Sequence, residues 1–430
     1  TVELTVFDWP GDWKRVCVTG PDGALRFQIL DAVPQEFWQH HFVRVLTEIF
    51  LPACGWATCV LGQDKDMIPD AKKESFPRVE KPYVYALENE YLRAEFCPRT
   101  GELTSLLDKA SDTELLNAPS AFFRMIEEQI AENTAGTAWT VGRYRRVTEM
   151  TSDVEIRNTL TGPLKNAVTV TTRCGASTVA YTVSLAVGSH WLDIDCDVDW
   201  REAGIPGQNT PQLNFTLPLA GVQKDFIHDV PGGLLRRAPV AQDMPCQSFA
   251  AAQSTEGRAI MLISDSKYGF RCENAAGGSS ISLNCLRSST DPDPTPEFGR
   301  HRFRVGIGVS ENTGIQLLNT AYAFCHPPIA INDRPREGSL PMRQQLIHVE
   351  GAFLQAVKMS EDGNRLIIRL TEVGGQGGEA AVSFWADIKA AEETDVHERA
   401  LPENRRLSVE GNALLCSLTA YSTTHFRITL

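Results

Sequence analysis

The segment from Leu286 to Arg302 holds the densest set of chemically able side chains in the 430-residue chain. It carries Arg287, Asp291, Asp293, Glu297, Arg300 and His301, with Pro292, Pro294 and Pro296 among them. Each proline fixes its own φ and restrains the residue before it. A loop stiffened in this way can hold guanidinium donors and carboxylate acceptors in place, the combination that recognises hydroxyl-rich ligands. The alternative is a surface loop whose ion pairs satisfy one another. The ladder Asp193, Asp195, Asp197, Asp199 is a second concentration of charge. A period of two puts all four carboxylates on one strand face. One flat ladder does not converge on a calcium ion. The expected arrangement is Leu192, Ile194, Cys196, Val198 and Trp200 toward a core and the aspartates toward water, where they also discourage edge pairing. His40 and His41 would point to opposite faces of a strand and so would not share a metal. HExxH, GxSxG, P-loop and Cys/His-finger patterns do not occur in the sequence. Gly374-Gly375-Gln376-Gly377-Gly378 fits no phosphate-binding pattern and reads as a hairpin loop. Tyr268 and Trp200 read as core aromatics, and Asp108-Lys109 as turn chemistry.

The elements that must position these residues read as strands. Residues 178–185 and 192–200 alternate with period two, and 260–263, 280–286, 301–307, 365–370, 381–385 and 425–430 continue the pattern. Short strands broken by Gly and Pro turns argue for β-sandwiches. No long, well-capped helical pattern stands out. Residues 37–50 fit either a helix or a strand; Pro52 and Gly55 favour strand, with 56–61 as the next one. Two proline-bearing polar stretches, 62–82 and 326–341, suit domain boundaries. They divide the chain into an N-terminal sandwich (1–62), a large central sandwich (83–325) and a C-terminal sandwich (342–430). Lys plus Arg is 41 against 54 Asp plus Glu, a net charge of −13. That balance excludes a chain-wide nucleic-acid binder. No apolar run approaches the roughly 20 residues that span a bilayer. The 11 cysteines are odd in number, lack a CxxC and sit partly in apolar strands. They read as free thiols in a reducing compartment, so the cytoplasm is expected. The opening residues 1–8 have no initiator Met and no signal-peptide pattern, and read as the middle of a strand, as though a longer chain preceded them.

Several blocks, in order, resemble the C-terminal β-domains of glycoside hydrolase family 38 α-mannosidases. They are Glu3-Leu-Thr-Val-Phe-Asp-Trp-Pro10, Pro52-Ala-Cys-Gly-Trp-Ala-Thr58, Leu87-Glu-Asn-Glu-Tyr-Leu-Arg-Ala-Glu95 with Thr100-Gly-Glu-Leu-Thr-Ser-Leu-Leu-Asp-Lys109, Ala138-Trp-Thr-Val141, Asp197-Val-Asp-Trp200, Ser264-Asp-Ser-Lys-Tyr-Gly-Phe270, and Leu286-Arg-Ser-Ser289 followed by Pro292-Asp-Pro294 and Gly299-Arg-His301. The last hundred or so residues match no motif of this kind. The resemblance implies an all-β fold: a large mutarotase-like supersandwich flanked by two smaller immunoglobulin-like sandwiches. It implies a non-catalytic region of an α-mannosidase, inactive alone, which supports an N-terminal catalytic domain and completes a site for terminal α-D-mannosides. Catalytic residues and zinc would belong to that missing domain; this chain would hold no metal or cofactor of its own. Its partners would be that domain and carbohydrate, with no nucleic acid and no membrane. Arg287, Asp291, Asp293, His301 and Trp139 would contact substrate. Glu297 stands where the family usually has Asp, and Cys285 breaks the family's double leucine. The competing readings are a carbohydrate-binding module or an aldose-epimerase-like sandwich with no mannosidase parent, and a purely structural scaffold. A binding module should show a row of exposed aromatics, and none is evident in the sequence. An epimerase needs a His acid and a Glu base across one cleft, and His190, His228 and His301 lack a convincing partner.

Overall fold

The computed structural model describes residues 1–31, 33–63, 85–129, 136–275, 277–334, 337–401 and 407–430. The described residues form two compact units. One joins 1–63, Pro231–Leu234 and 328–430; the other comprises 85–230 and 235–327. Most of the stretch 62–82 proposed as a boundary lies outside the described residues. The boundary stretch 326–341 has no regular secondary structure among its described residues, apart from the helix end that precedes it.

The second unit is a supersandwich. Its nine-stranded sheet runs Glu155–Leu160, Lys165–Cys174, Ser177–Ala186, Trp191–Trp200, Gly299–Glu311, Arg258–Ser264, Phe249–Thr255, Phe226–Val230, Gly233–Arg237. Its six-stranded sheet runs Arg143–Glu149, Phe123–Gln129, Asn209–Ala220, Gly278–Arg287, Gly269–Ala275, Val240–Pro245. The period-two alternation places Leu192, Ile194, Val198 and Trp200 of one sheet against Leu213, Phe215, Ile281 and Leu283 of the other in one apolar core. A further sheet, Tyr85–Glu88 to Thr113–Glu114, adds Leu87, Leu92, Phe96 and Leu103 to that core.

The first unit contains two smaller sandwiches. The C-terminal one has two four-stranded sheets closed over Val382, Leu414, Ile368, Phe426 and Ile428. The N-terminal one pairs Val2–Phe7 and Phe27–Ile29 with His40–Thr47, and Val16–Gly20 with Val60–Gln63. The strand Gly55–Ala57 pairs with Arg343–Gln345, and Trp56 Nε1 donates to the Pro341 carbonyl at 3.0 Å.

Several sequence expectations are corrected. The stretch 37–50 is extended, as favoured, but it holds a hairpin: Gln35–Phe37 turns at Trp38 and Gln39 into His40–Thr47. One α-helix does form among the described residues, Gly314–Cys325. Thr313 caps it by accepting from Gln316 N, and Leu317, Leu318, Ala321 and Phe324 are buried. A Cβ on Gly306 would come within 2.9 Å of the Phe324 ring, so this glycine lets the helix seat on the sheet. The aspartate ladder is not at a sheet edge. Trp191–Trp200 is an inner strand, and Asp195, Asp197 and Asp199 lie opposite Arg304, Arg302 and Arg300. Asp193 is paired to Arg304 at 2.6 Å and Asp197 to Arg300 at 2.5 Å. Residues 374–378 are not a hairpin loop, because the strands Leu366–Thr371 and Gly378–Phe384 belong to different sheets. The amides of Gly374, Gly375 and Tyr421 donate to the buried Glu372 carboxylate. Burial pushes that carboxyl up, and these backbone donors outweigh it and hold the pKa below its ordinary value. Tyr268 is 60% exposed, so it is not a core aromatic. Trp200 is fully buried. Asp108 accepts from Ala110 N and Ser111 Oγ, as a turn residue does, but it is also buried against Arg258 at 2.5 Å.

Candidate functional site

The outward face of the six-stranded sheet is polar yet buried. Along Asn209–Ala220, Leu213, Phe215 and Leu217 face the core, while Gln212 and Asn214 face away and are fully buried. A register shift between Leu213 and Asn214 leaves Cys285 without a partner of its own opposite that strand. Cys285 and Leu286 therefore both enter the core, and Arg287 returns to the face of Asn284. The Leu-to-Cys departure at 285 thus falls on a core packing position.

Arg287 meets Glu128 on this face. Its Nε donates to Glu128 Oε1 at 2.7 Å and its Nη2 to Glu128 Oε2 at 2.8 Å, a bidentate fork. The Arg287 side chain is 10% exposed and that of Glu128 0%. Glu128 Oε1 also accepts from Gln212 Nε2 at 2.9 Å, and Oε2 from Gly142 N at 2.8 Å. Arg287 Nη1 donates to the Thr137 carbonyl, and Nη2 to the Thr140 carbonyl at 2.8 Å. The pair therefore holds both ends of the loop 136–142 to the sheet.

A second set of bonds ties that loop to the 288–298 loop. Thr137 Oγ1 accepts from the amides of Thr290 and Asp291, each at 2.9 Å. Gly136 N donates to Asp291 Oδ2 at 2.5 Å, and Ala138 N to the Asp291 carbonyl at 2.9 Å. Below them, Trp200 Nε1 donates to Ser288 Oγ at 2.7 Å, and Ser288 Oγ donates to the Glu202 carbonyl at 2.6 Å. Trp139 rides on this double loop with 80% of its surface exposed. Beside it the same polar face continues. Tyr144 donates to Gln212 Oε1 at 3.0 Å, and its ring lies 3.9 Å under the Arg271 guanidinium. Burial pushes the Tyr144 hydroxyl pKa up, and the Asp243 carboxylate adds to the effect. Burial also raises the Asp243 carboxyl above its ordinary range, against the Asn284 hydrogen bond and the Arg271 charge.

Of the five site residues proposed from the sequence, Arg287, Asp291 and Trp139 meet here. Asp293 is exposed, and its carbonyl accepts from Ser289 Oγ at 3.1 Å. His301 sits at the start of Gly299–Glu311 in the other sheet, where Nε2 donates to the Glu297 carbonyl at 2.6 Å and Nδ1 lies 3.8 Å from the Glu297 carboxylate. Glu128, Thr137 and Gln212 escaped the sequence reading. No local signal marked Glu128, which stands among Arg124, Glu127 and Gln129 in Phe123–Gln129 and is distinguished only by its burial against Arg287.

Glycosyl hydrolases family 38 C-terminal domain matches residues 87–295, and the Glycosyl hydrolases family 38 C-terminal beta sandwich domain matches residues 352–430. The chain belongs to glycosyl hydrolase family 38, as its C-terminal region. A relative, human Alpha-mannosidase 2C1, is 25% identical over 175 residues, which are 39% of this chain and 16% of that protein. Two solved structures share the fold. A family 38 protein from Enterococcus faecalis superposes with a TM-score of 0.73 at 16% identity, over 99% of this chain and 56% of that one. An alpha-mannosidase from Enterococcus faecalis V583 gives 0.71 at 16% identity, over 99% and 54%. The chain thus spans about half the length of these two structures. Among the described residues, no group of three or more His, Cys, Asp and Glu side chains could hold a metal ion. No described helix is long and apolar enough to cross a membrane.

Proposed function

We propose that this chain is the non-catalytic C-terminal region of an α-mannosidase, completing the rim of a site for terminal α-D-mannosides whose bond-breaking groups and zinc lie in another domain of the parent protein. In this reading 1–62, 83–325 and 342–430 are its three functional divisions, that catalytic domain is its partner, and the cytoplasm is its compartment. The observation that supports it is the buried Arg287–Glu128 fork, which holds the loop 136–142 and presents Trp139. An indole face suits the apolar side of a sugar ring. Asp291 fixes the neighbouring backbone, and Asp293 and His301 supply polar groups of the same rim. Arg287 acts here as a positioning residue, since its fork and the Thr140 carbonyl already occupy Nε and Nη2, and the Thr137 carbonyl takes one N–H of Nη1. Only Nη1 keeps an N–H outside these bonds.

The test is hydrolysis of an aryl α-mannoside, with and without added zinc, by this chain and by the full-length parent. The parent should turn over and this chain should not; turnover by this chain overturns the division of roles. In the parent, Trp139→Ala should raise KM more than it lowers kcat, because a rim contact binds ground and transition states alike. The readings that dispense with a mannosidase parent are not kept, because the family 38 match covers most of the chain.

A further inference from the structure

The N-terminal sandwich carries a row of exposed rings that the loops around Trp139 do not use. Phe7 lies opposite Phe42, Gln35 opposite Phe42, and Phe37 opposite His40. Cross-strand partners share a face, and residues two apart return to it. Phe7, Phe42, Gln35, His40 and Phe37 therefore line one face, while Val43 and Val45 are buried on the other. Phe7 is 50% exposed, Phe37 61% and Trp38 84%. The Phe7 and Phe42 rings are 5.4 Å apart, and those of Phe37 and Trp38 6.2 Å. This is the exposed aromatic row that the sequence did not reveal.

The turn that displays Trp38 is strained. Trp38 and Gln39 have φ of 50° and 68°, the two positive values of a two-residue hairpin turn. Asn-Gly fits that turn readily, and a bulky tryptophan does not. Polar groups stand beside the rings. Asp8 Oδ2 accepts from His40 Nδ1 at 2.6 Å and Asp8 Oδ1 from His41 N at 3.1 Å, with both side chains more than half exposed. Gln35 Nε2 donates to the Val33 carbonyl at 3.0 Å. On a protein-binding face the polar groups gather at the rim around an apolar centre. Rings interleaved with a carboxylate, an imidazole and an amide match a pyranose, which is apolar on one face and hydroxylated around its edge.

We infer that this face is a second saccharide-binding platform, separate from the Trp139 loop, with Trp38 and Phe37 as stacking surfaces and Asp8 and His40 as hydroxyl partners. It rests on the carbohydrate reading above. The experiment titrates the 430-residue chain with methyl α-mannopyranoside and a set of α-linked mannobioses. Tryptophan fluorescence and saturation-transfer NMR read the binding. Saturable binding is expected in the millimolar range. Trp38→Ala should weaken it roughly tenfold or more, and Trp139→Ala should leave that component unchanged. The variant Trp38→Asn with Gln39→Gly suits the turn better. It should stay folded by circular dichroism and still bind no better than Trp38→Ala.

Three results would overturn the platform: no sugar in the set binds, binding survives both Trp38 changes, or those changes abolish only self-association. If the platform fails while Trp139→Ala still raises KM in the parent, the rim proposal stands. If Trp139→Ala also leaves the parent unchanged, that proposal falls as well.

Discussion

Trp139 and Trp38 reach solvent to nearly the same extent, 80% and 84%, by opposite means. Trp139 sits on a loop whose backbone is fastened by a buried ion pair and a threonine hydroxyl. Trp38 sits in a turn whose backbone is itself out of its preferred region. In the first case the stabilising interactions are made by the loop backbone and not by the ring. In the second the unfavourable conformation lies in the displayed residue. The same exposure therefore predicts opposite mutational signs.

Glu128→Ala should cost most. It leaves the Arg287 guanidinium buried without its counter-ion, a loss of about 3–5 kcal/mol. Urea unfolding should show that loss together with easier acrylamide quenching of Trp139. A cost below about 1 kcal/mol would mean that water replaces the carboxylate and the fork does not hold the loop.

Acid sharpens the contrast within the supersandwich. His228 is buried, and burial, with the Arg237 charge adding to it, lowers its pKa to about 4 against a backbone contact with Phe226. The unfolded chain binds that proton near pH 6.5 and the folded chain only near 4, so its protonation costs stability progressively below pH 6.5. Relative to His228→Leu, which cannot titrate, wild-type Tm should fall by roughly 5 °C between pH 6.5 and 4.5. A pH-independent difference would show that His228 is accessible to water in the folded chain.

Thr137→Val comes next. It removes the acceptor of the Thr290 and Asp291 amides and should cost about 1–3 kcal/mol. Trp38→Asn with Gln39→Gly has the reverse sign and should stabilise the chain by about 1 kcal/mol. A loss there would show that the tryptophan packs more than it strains. Asp197→Asn should matter least. Its pairs with Arg300 and Arg302 are exposed, so its effect should stay within about 0.5 kcal/mol in denaturant unfolding.

The sheets were legible because core strands such as Trp191–Trp200 alternate cleanly. The missing helix was legible too, since Thr313 precedes apolar residues at 317, 318, 321 and 324, but short apolar runs do not separate helix from strand. The hairpin at 38–39 gave no sign, because Trp-Gln is not the pair that such turns favour. The heart of the candidate site was illegible for a different reason. Gln212 and Asn214 alternate with Leu213 and Phe215 as a solvent face would, yet both are fully buried. The partner that makes Glu128 tolerable, Arg287, is 159 residues away. No local pattern encodes a bond across that distance. The loop 288–298 was visible through its prolines, whereas the roles of its residues were set by a threonine on another loop.

The pairing of Gly55–Ala57 with Arg343–Gln345 has a consequence for how the protein is made. Trp56 waits 285 residues for Pro341. At about 5–20 residues per second, a ribosome needs from roughly a quarter of a minute to a minute to deliver that partner. Throughout that interval the nascent N-terminal strands have an open edge, and the whole supersandwich emerges before it can be covered. Chaperone occupancy during synthesis should therefore persist around Gly55–Ala57 until Arg343–Gln345 has emerged.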